Sequence, residues 1–473
     1  MKINQLISGT IWYGLVPKFS VVITVFILPF TTPFLTASDY GIVGIVNSYY
    51  GLFFAIYTLG LNVHLTNSYY EYKNNFNLIW GRILFLLIIS GVVSAILMAT
   101  TLSMALSELP SVSLLTIIGL VSIPLIFGGN ALLANHLYPL RSDPKSLVLP
   151  TLISNCVGIF SSFILIKYFK AGYIGLLASG PTSSLLTFLF FLKPIWRKER
   201  IIPIVDFNLT RIRNFLRISL PVVPHTLGFM LLTASDRLIM GLYDVPINHV
   251  GYYTHGYSMG DYVTIISAAL ITSLAPRIQE HYRSKDYMKL KRVYILSQSF
   301  TIVTVFLFSL WIPEIYKVLI HNEDLRKSSS IASIICFANI IYPLYAFMST
   351  SAFIEKKTNK LLYLVFVPGA LNVILNLTLI PFFGYKTAIY TTLASYWSLL
   401  VIPFVISFYG NFLEKIFESK TVLIVLFFLF SVATLISYFV SLASINIKII
   451  TSVIVLILVL YILQRRKHEL FDF

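Results

Sequence analysis

The sequence predicts an all-α polytopic membrane protein with about 14 transmembrane helices, and three observations predict it. Of the 473 residues, 57% are hydrophobic and only 11% charged, with a mean hydropathy of +0.83. A folded soluble protein needs a polar skin, so composition excludes a soluble enzyme, a nucleic-acid binder and a disordered chain. The apolar residues fall into separate stretches of roughly 20, the length that crosses a bilayer core of about 30 Å as a helix. The 35 basic residues divide unequally between alternate connecting loops.

Fourteen stretches satisfy the length criterion: residues 11–34, 42–66, 83–106, 113–135, 147–168, 173–192, 218–242, 250–275, 293–320, 329–353, 361–382, 386–408, 421–443 and 447–464. The first is not a cleavable signal peptide. Its apolar run from Phe19 to Leu35 exceeds the usual h-region of about 7–15 residues, and another span follows at once. The sixth, eighth and twelfth are studded with Ser, Thr and Tyr, and the alternative count is twelve, without the last pair.

Orientation follows from charge. With the N-terminus in the cytoplasm, the inner loops, Lys2 and the tail carry 26 Lys and Arg, the outer loops and adjoining helix ends seven, and Lys18 and Arg237 lie inside spans. This asymmetry places both termini in the cytoplasm. The net charge of +16 is thus mostly topology and not a nucleic-acid signal. No loop exceeds about 25 residues, and the longest, 193–217 and 276–292, are basic and cytoplasmic. Cys156 and Cys336 sit in apolar runs and read as small core residues, without metal or disulfide spacing.

The first and seventh spans share a feature. One opens Gly14-Leu15-Val16-Pro17-Lys18, with further prolines at Pro29 and Pro33; the other opens Leu220-Pro221-Val222-Val223-Pro224-His225. Each leads into a Gly- and Tyr-bearing segment, Asp39-Tyr40-Gly41-Ile42 and Val250-Gly251-Tyr252-Tyr253. Pro-interrupted helices at matching places in two halves point to a transporter's central site. The plain alternative is the general frequency of Pro in membrane helices. A second repeat, Leu35–Asp39 against Leu232–Asp236, is out of register with those prolines and is coincidence.

The stretch Leu220–Tyr253, with Leu-Pro-x-x-Pro-His, Ser235-Asp236-Arg237 and Val250-Gly251-Tyr252-Tyr253, resembles the polysaccharide-export branch of the multidrug/oligosaccharidyl-lipid/polysaccharide (MOP) exporter superfamily, which includes the Wzx-type O-antigen and capsule flippases. The segment from Pro33 to Leu61, with Asp39-Tyr40-Gly41 and Leu59-Gly60-Leu61, is similar to the start of the same family's second helix. The resemblance implies two six-helix lobes around a central cavity plus a C-terminal helix pair. On this sequence these are an N-terminal lobe at 1–192, a basic cytoplasmic linker at 193–217, a C-terminal lobe at 218–410, and the helix pair and tail at 411–473. It further implies a transporter and not an enzyme, which passes a polyprenyl-diphosphate-linked oligosaccharide across the cytoplasmic membrane by alternating access. Membrane lipid, a polysaccharide polymerase and chain-length machinery are the implied partners. No cofactor is implied beyond Na+ or H+ as a coupling ion.

Charge inside a membrane costs at least about 2.5–3.5 kcal/mol on insertion scales, so the few such residues are the candidates. Lys18 is a candidate for the carrier's pyrophosphate; the alternative is snorkelling to the cytoplasmic face. Arg237 is a candidate for a substrate phosphate or sugar, against a local ion pair with Asp236 that adjacent helical positions disfavour. His225 joins them as substrate-binding, against a hydrogen-bonded core histidine. Asp236 has a separate role by resemblance to the lipid-flipping relatives that export peptidoglycan precursor. Their proposed sodium site uses the seventh, eleventh and twelfth helices, where this chain has Asp236, then Asn372 and Asn376 on one helix face, then Thr391 or Thr392. The alternative is interhelical hydrogen bonding.

In the eighth span, Gly256-Tyr257-Ser258-Met259-Gly260 matches G-x-S-x-G beside His255 and Asp261. A hydrolase elbow needs a strand before its turn, so this is a decoy inside a helix. His255, Ser258 and Asp261 form a three-residue-spaced polar stripe expected to face the cavity and bind substrate, as do Asn47, Tyr50 and Tyr57 on the second span. H-E-x-x-H, Walker-type G-x-x-x-x-G-K and D-x-D motifs do not occur. Competing readings are a cation-coupled small-molecule exporter of the same fold and a membrane polysaccharide polymerase, which usually carries a large outer loop. Neighbouring glycosyltransferase genes would separate flippase from drug exporter.

Reporter fusions after residues 110, 245 and 445 are expected to report outside, and those after 141, 285 and 467 inside. A cytoplasmic signal at 445 would remove the last helix pair from the topology.

Overall fold

The computed structural model describes residues 19–72 and 75–465, and among them the regular structure is entirely helical. Eleven helical runs are long and apolar enough to cross a membrane, and Phe19–Phe34 and Ile445–Ile457 are shorter apolar helices. Residues 386–408 also form helix, but in pieces, because Pro403 cannot donate to the preceding ladder. Each of the fourteen stretches therefore has a helical counterpart. The described chain divides into two compact units, one ending at Met230 and one starting at Leu231.

The first unit comprises α1 (Phe19–Thr31), α2 (Ala37–Tyr57), α3 (Asn62–Glu71), α4 (Phe76–Ala105), α5 (Ser111–Phe127), α6 (Gly129–Leu140), α7 (Pro144–Lys167), α8 (Gly172–Lys193), α9 (Leu209–Ser219) and the start of α10 (Val223–Leu242). A capping box starts α2: Thr36 Oγ1 accepts from the Asp39 N–H at 3.2 Å, and Asp39 Oδ2 accepts from the Thr36 N–H at 2.8 Å. The other carboxylate oxygen accepts the Tyr173 N–H at 2.9 Å and ties α2 to the start of α8. Asp39 of the Asp-Tyr-Gly motif is thus a structural cap.

The Leu59-Gly60-Leu61 motif is a left-handed turn between α2 and α3, with φ of 48° at Leu59 and 65° at Gly60. A Cβ on Gly60 would stand 2.3 Å from the carbonyl oxygen of Ser219, so both conformation and space require glycine there.

The basic stretch after α8 is more structured than a linker. It holds a π-helical turn, Pro194–Lys198, and the amphipathic helix α9, which Asn208 caps through the Arg211 N–H at 3.1 Å. Asp206 sits between Arg82, 3.1 Å away, and Arg211. The Asn208 backbone N–H, with those guanidinium groups, holds its carboxyl below the usual carboxylate range.

The second unit holds the rest of α10, α11 (Ile247–Arg283), α12 (Tyr287–Leu319), α13 (Ser329–Ala338), α14 (Tyr342–Ile354), α15 (Thr358–Phe383), α16 (Thr387–Trp397), α17 (Ser407–Phe417), α18 (Thr421–Ser441) and α19 (Ile445–Arg465). Two stretches expected as loops are helical. Residues 276–283 continue α11, because polar Glu280, His281 and Arg283 prolong a helix past an apolar span as readily as they form a loop. Residues 409–417 belong to α17, whose apolar face is buried through Tyr409, Phe412, Leu413 and Ile416.

Gly256 and Gly260 let α11 approach α13: a Cβ at either would come within 2.7 Å of the Ser328 or Ala332 carbonyl oxygen. The G-x-S-x-G pattern is a packing seam in mid-helix. The C-terminal helix α19 docks on α12 through Lys448 Nζ, 2.8 Å from Glu314 Oε1, and through the Trp311 indole N–H, 2.9 Å from Ser452 Oγ.

Gly60→Ala is expected to cost about 1–3 kcal/mol and lower the melting temperature of the detergent-purified protein. Gly119→Ala, whose Cβ would meet nothing within 4 Å, should leave it unchanged or raise it. Equal melting temperatures for both variants would contradict this account of the turn.

Candidate functional site

Two features have the chemistry of a site, one in each unit. The first unit carries an open cavity of about 890 Å³. One wall is α2, where Asn47, Tyr50, Phe54 and Tyr57 recur at steps of three and four and so share a face. Their rings form a ladder: Tyr50 and Phe54 lie 5.7 Å apart between centroids, Phe54 and Tyr57 5.6 Å. The stripe expected from the sequence therefore does line a cavity. Facing groups are amides and hydroxyls, including Asn135 on α6, Asn155 on α7 and Ser179 and Ser183 on α8. Among the described lining residues none is Asp, Glu, Lys or Arg. Tyr57 is 1% exposed, and its hydroxyl has no hydrogen-bond partner among the described residues.

Asn135 and Asn155 carried no signal in the sequence, because single amides in apolar runs show no period. Lys18, expected at the same end of the chain, lies outside the described residues. His225, at the start of α10, is half-buried, and its neighbour Thr226 lines the cavity.

The second feature is a polar cluster around Asp236, which is fully buried. The spacing of Asn372 and Asn376 puts both on the α15 face toward α10, and Thr391 and Thr392 open α16 beside them. Asp236 accepts three hydrogen bonds: from Asn376 Nδ2 at 2.5 Å, from Thr392 Oγ1 at 3.1 Å and from the Tyr253 hydroxyl of α11. Asn376 also donates to Asn372 Oδ1 at 3.0 Å and accepts from Thr391 Oγ1 at 2.5 Å, while Ser235 Oγ donates to Asn372 Oδ1 at 2.7 Å. The expected residues Asp236, Asn372 and Asn376 are thus brought together with both threonine candidates, Thr391 and Thr392, and with Tyr253 and Ser235 added. A burial of this many polar groups is tolerable because they satisfy one another.

The donor set is all oxygen: one carboxylate, two amide carbonyls and two threonine hydroxyls. Hard cations take such ligands, and the set suits a monovalent ion because it holds a single negative charge. Among the described residues no group of three or more His, Cys, Asp or Glu could hold a metal ion.

Arg237 flanks this cluster, its guanidinium 5.2 Å over the Tyr253 ring. It is 7% exposed, donates to the Thr233 carbonyl at 2.8 Å and to Thr254 Oγ1 at 3.4 Å, and lies 4.3 Å over the Tyr257 ring. Among the described residues no ion pair joins it to Asp236. The polar stripe of α11 also splits up. His255 is buried, with Nδ1 2.7 Å from Ser328 Oγ and its ring edge-on to Tyr316; Ser258 is exposed; Asp261 accepts from Thr264 at 2.8 Å and Asn339 at 3.3 Å. Steps of three advance by about 300° on a helix, so the stripe drifts around α11 and its members meet different neighbours.

Residues 6–282, more than half of the chain, match the model of a family described as polysaccharide biosynthesis protein. Among solved structures, a lipid II flippase MurJ in an inward closed conformation superposes with a TM-score of 0.65 at 15% identity, covering 91% of this chain and 97% of that one. An inward-facing multidrug resistance MATE transporter of the MOP superfamily gives 0.61 at 12% identity, covering 86% and 97%. A MOP superfamily transporter from Pyrococcus furiosus gives 0.53 at 12% identity, covering 87% and 96%. Identities this low speak for a shared fold. No curated protein matches the chain in sequence.

Proposed function

The chain belongs to the polysaccharide biosynthesis protein family and has the fold of MOP superfamily transporters, and from that premise we propose that it is a flippase for a lipid-linked oligosaccharide. It carries the glycan across the cytoplasmic membrane by alternating access, with both termini in the cytoplasm, for a surface polysaccharide of O-antigen or capsule type. The observation that carries this reading is the cavity of the first unit, whose described lining holds no Asp, Glu, Lys or Arg. Its amides and hydroxyls can exchange hydrogen bonds with sugar hydroxyls, and the Tyr50–Phe54 pair, backed by buried Tyr57, offers apolar ring surface to the faces of sugar rings. A cavity built for anionic drugs or phosphates alone would show Lys or Arg, and this one shows neither among its described lining.

The Asp236 cluster serves as the coupling site in this reading. One elementary charge crossing 100 mV is worth about 2.3 kcal/mol, enough to bias transport. An ion acts only through different affinities in the two states. The oxygens of α10, α15 and α16 supply such a difference if those helices shift, because the donors that now satisfy Asp236 would give way to a cation or a proton. The same cluster favours, as second reading, a cation-coupled exporter of small molecules with a neutral, sugar-like surface.

In proteoliposomes containing a polyprenyl-diphosphate-linked oligosaccharide, the unmutated protein is expected to expose the glycan to an added lectin. Asn47→Ala with Tyr50→Ala should slow exposure at least about tenfold, the loss of one or two good polar contacts. Exposure no faster than in protein-free vesicles would refute the flippase reading and leave the small-molecule exporter.

A further inference from the structure

The first unit carries a second concavity, of about 570 Å³, where α6, α7 and the end of α8 meet. It is amphipathic. Phe190, Phe191, Pro150 and Pro194 form its apolar part, and Phe190 is 42% exposed, next to Leu189 on the outward side of α8. Its polar rim carries Arg141, Lys193, Arg197 and Lys198 against the two carboxylates of Asp143 and Glu199.

Both carboxylates are committed elsewhere. Asp143 caps α7 by accepting the Ser146 N–H at 3.3 Å, and Glu199 is held by a two-pronged pair with Arg141. Lys193, Arg197 and Lys198 are exposed and make no ion pair among the described residues. The rim is thus a net cationic groove beside the N-terminus of α7, whose Ser146 also lines it.

The groove is also prebuilt. Arg197 and Lys198 ride on the π-helical turn Pro194–Lys198, Lys193 on the end of α8 just before it, and that turn is fixed at three points. Ile195 is fully buried, the Trp196 indole donates to Asn130 Oδ1 at 3.1 Å, and the Ile201 N–H donates to the Ile195 carbonyl at 3.0 Å. Such turns recur at functional sites.

We infer that this groove is a binding site for a lipid-borne phosphate, with the headgroup on Lys193, Arg197 and Lys198 and the hydrocarbon along Phe190 and Pro150. An apolar slot continuous with an ammonium and guanidinium rim fits a phosphate that arrives on a lipid, whereas a soluble phosphate has no use for Phe190. The site is separate from the glycan cavity and does not rest on the flippase reading. Two lipids carry this chemistry: the anionic glycerophospholipids of the bilayer and the polyprenyl phosphate of a glycan carrier.

Native mass spectrometry of the full-length protein tests it, with phosphatidylglycerol, polyprenyl phosphate and zwitterionic phosphatidylcholine as probes. Phosphatidylglycerol or polyprenyl phosphate should be retained above phosphatidylcholine, and the better retained of the two identifies the source. Retention should fall about fivefold for each neutralised charge, and about a hundredfold in Lys193→Gln/Arg197→Gln/Lys198→Gln. The charge-conserving Lys193→Arg/Arg197→Lys/Lys198→Arg variant should keep it, which separates loss of the site from loss of the fold. Equal retention of all three lipids, or unchanged retention in the neutral triple variant, would overturn the assignment.

Discussion

A carboxylate at zero exposure in a membrane-spanning helix is the constraint around which the second unit is arranged. Water cannot satisfy Asp236, so protein groups must, and the three that do come from three other helices: Tyr253 on α11, Asn376 on α15 and Thr392 on α16. Asn372, Thr391 and Ser235 are needed in turn to occupy the remaining amide and hydroxyl groups. The same accounting applies elsewhere in the unit. Lys448, 2% exposed, is acceptable in α19 because Glu314 meets it, and His255 is acceptable in α11 because Ser328 does.

The two units handle polarity in different ways. The first keeps uncharged groups around open space, where a ligand or water can satisfy them, and its described cavity lining holds no Asp, Glu, Lys or Arg. The second closes a charged group within a network of its own side chains. The first arrangement leaves hydrogen-bonding capacity for a neutral substrate; the second stores a negative charge whose partners can change.

Much of this was legible from the chain. Apolar length located the long apolar helices, because a bilayer of fixed thickness turns composition into geometry. The Asn372–Asn376 spacing and the Asn47–Tyr50–Tyr57 stripe were legible because helical periodicity places such residues on one face. Contacts set by packing between distant segments were not. His255 and Asp261 looked like one stripe with Ser258, yet α13 covers the first and Asn339 meets the last. Arg237 looked like a substrate cation, but nothing in the local sequence announces that Thr254 and Tyr257 enclose it. The amphipathic α9 was hidden by its charge, since Arg211, Arg213 and Arg217 read as a cytoplasmic linker whether or not Phe215 and Leu216 form a helical face. The roles of Gly60, Gly256 and Gly260 depend on backbone from other segments passing within contact distance.

The central claim is that ion binding at Asp236 drives transport, and initial flipping rates under imposed gradients test it most directly. Proteoliposomes of the unmutated protein and of Asp236→Asn would be compared under a sodium gradient and, separately, a proton gradient. The account predicts that one gradient accelerates the unmutated protein, while Asp236→Asn still binds the lipid-linked glycan but responds to neither. Rates in the unmutated protein that ignore both gradients, or an Asp236→Asn variant that keeps the full response, would contradict it.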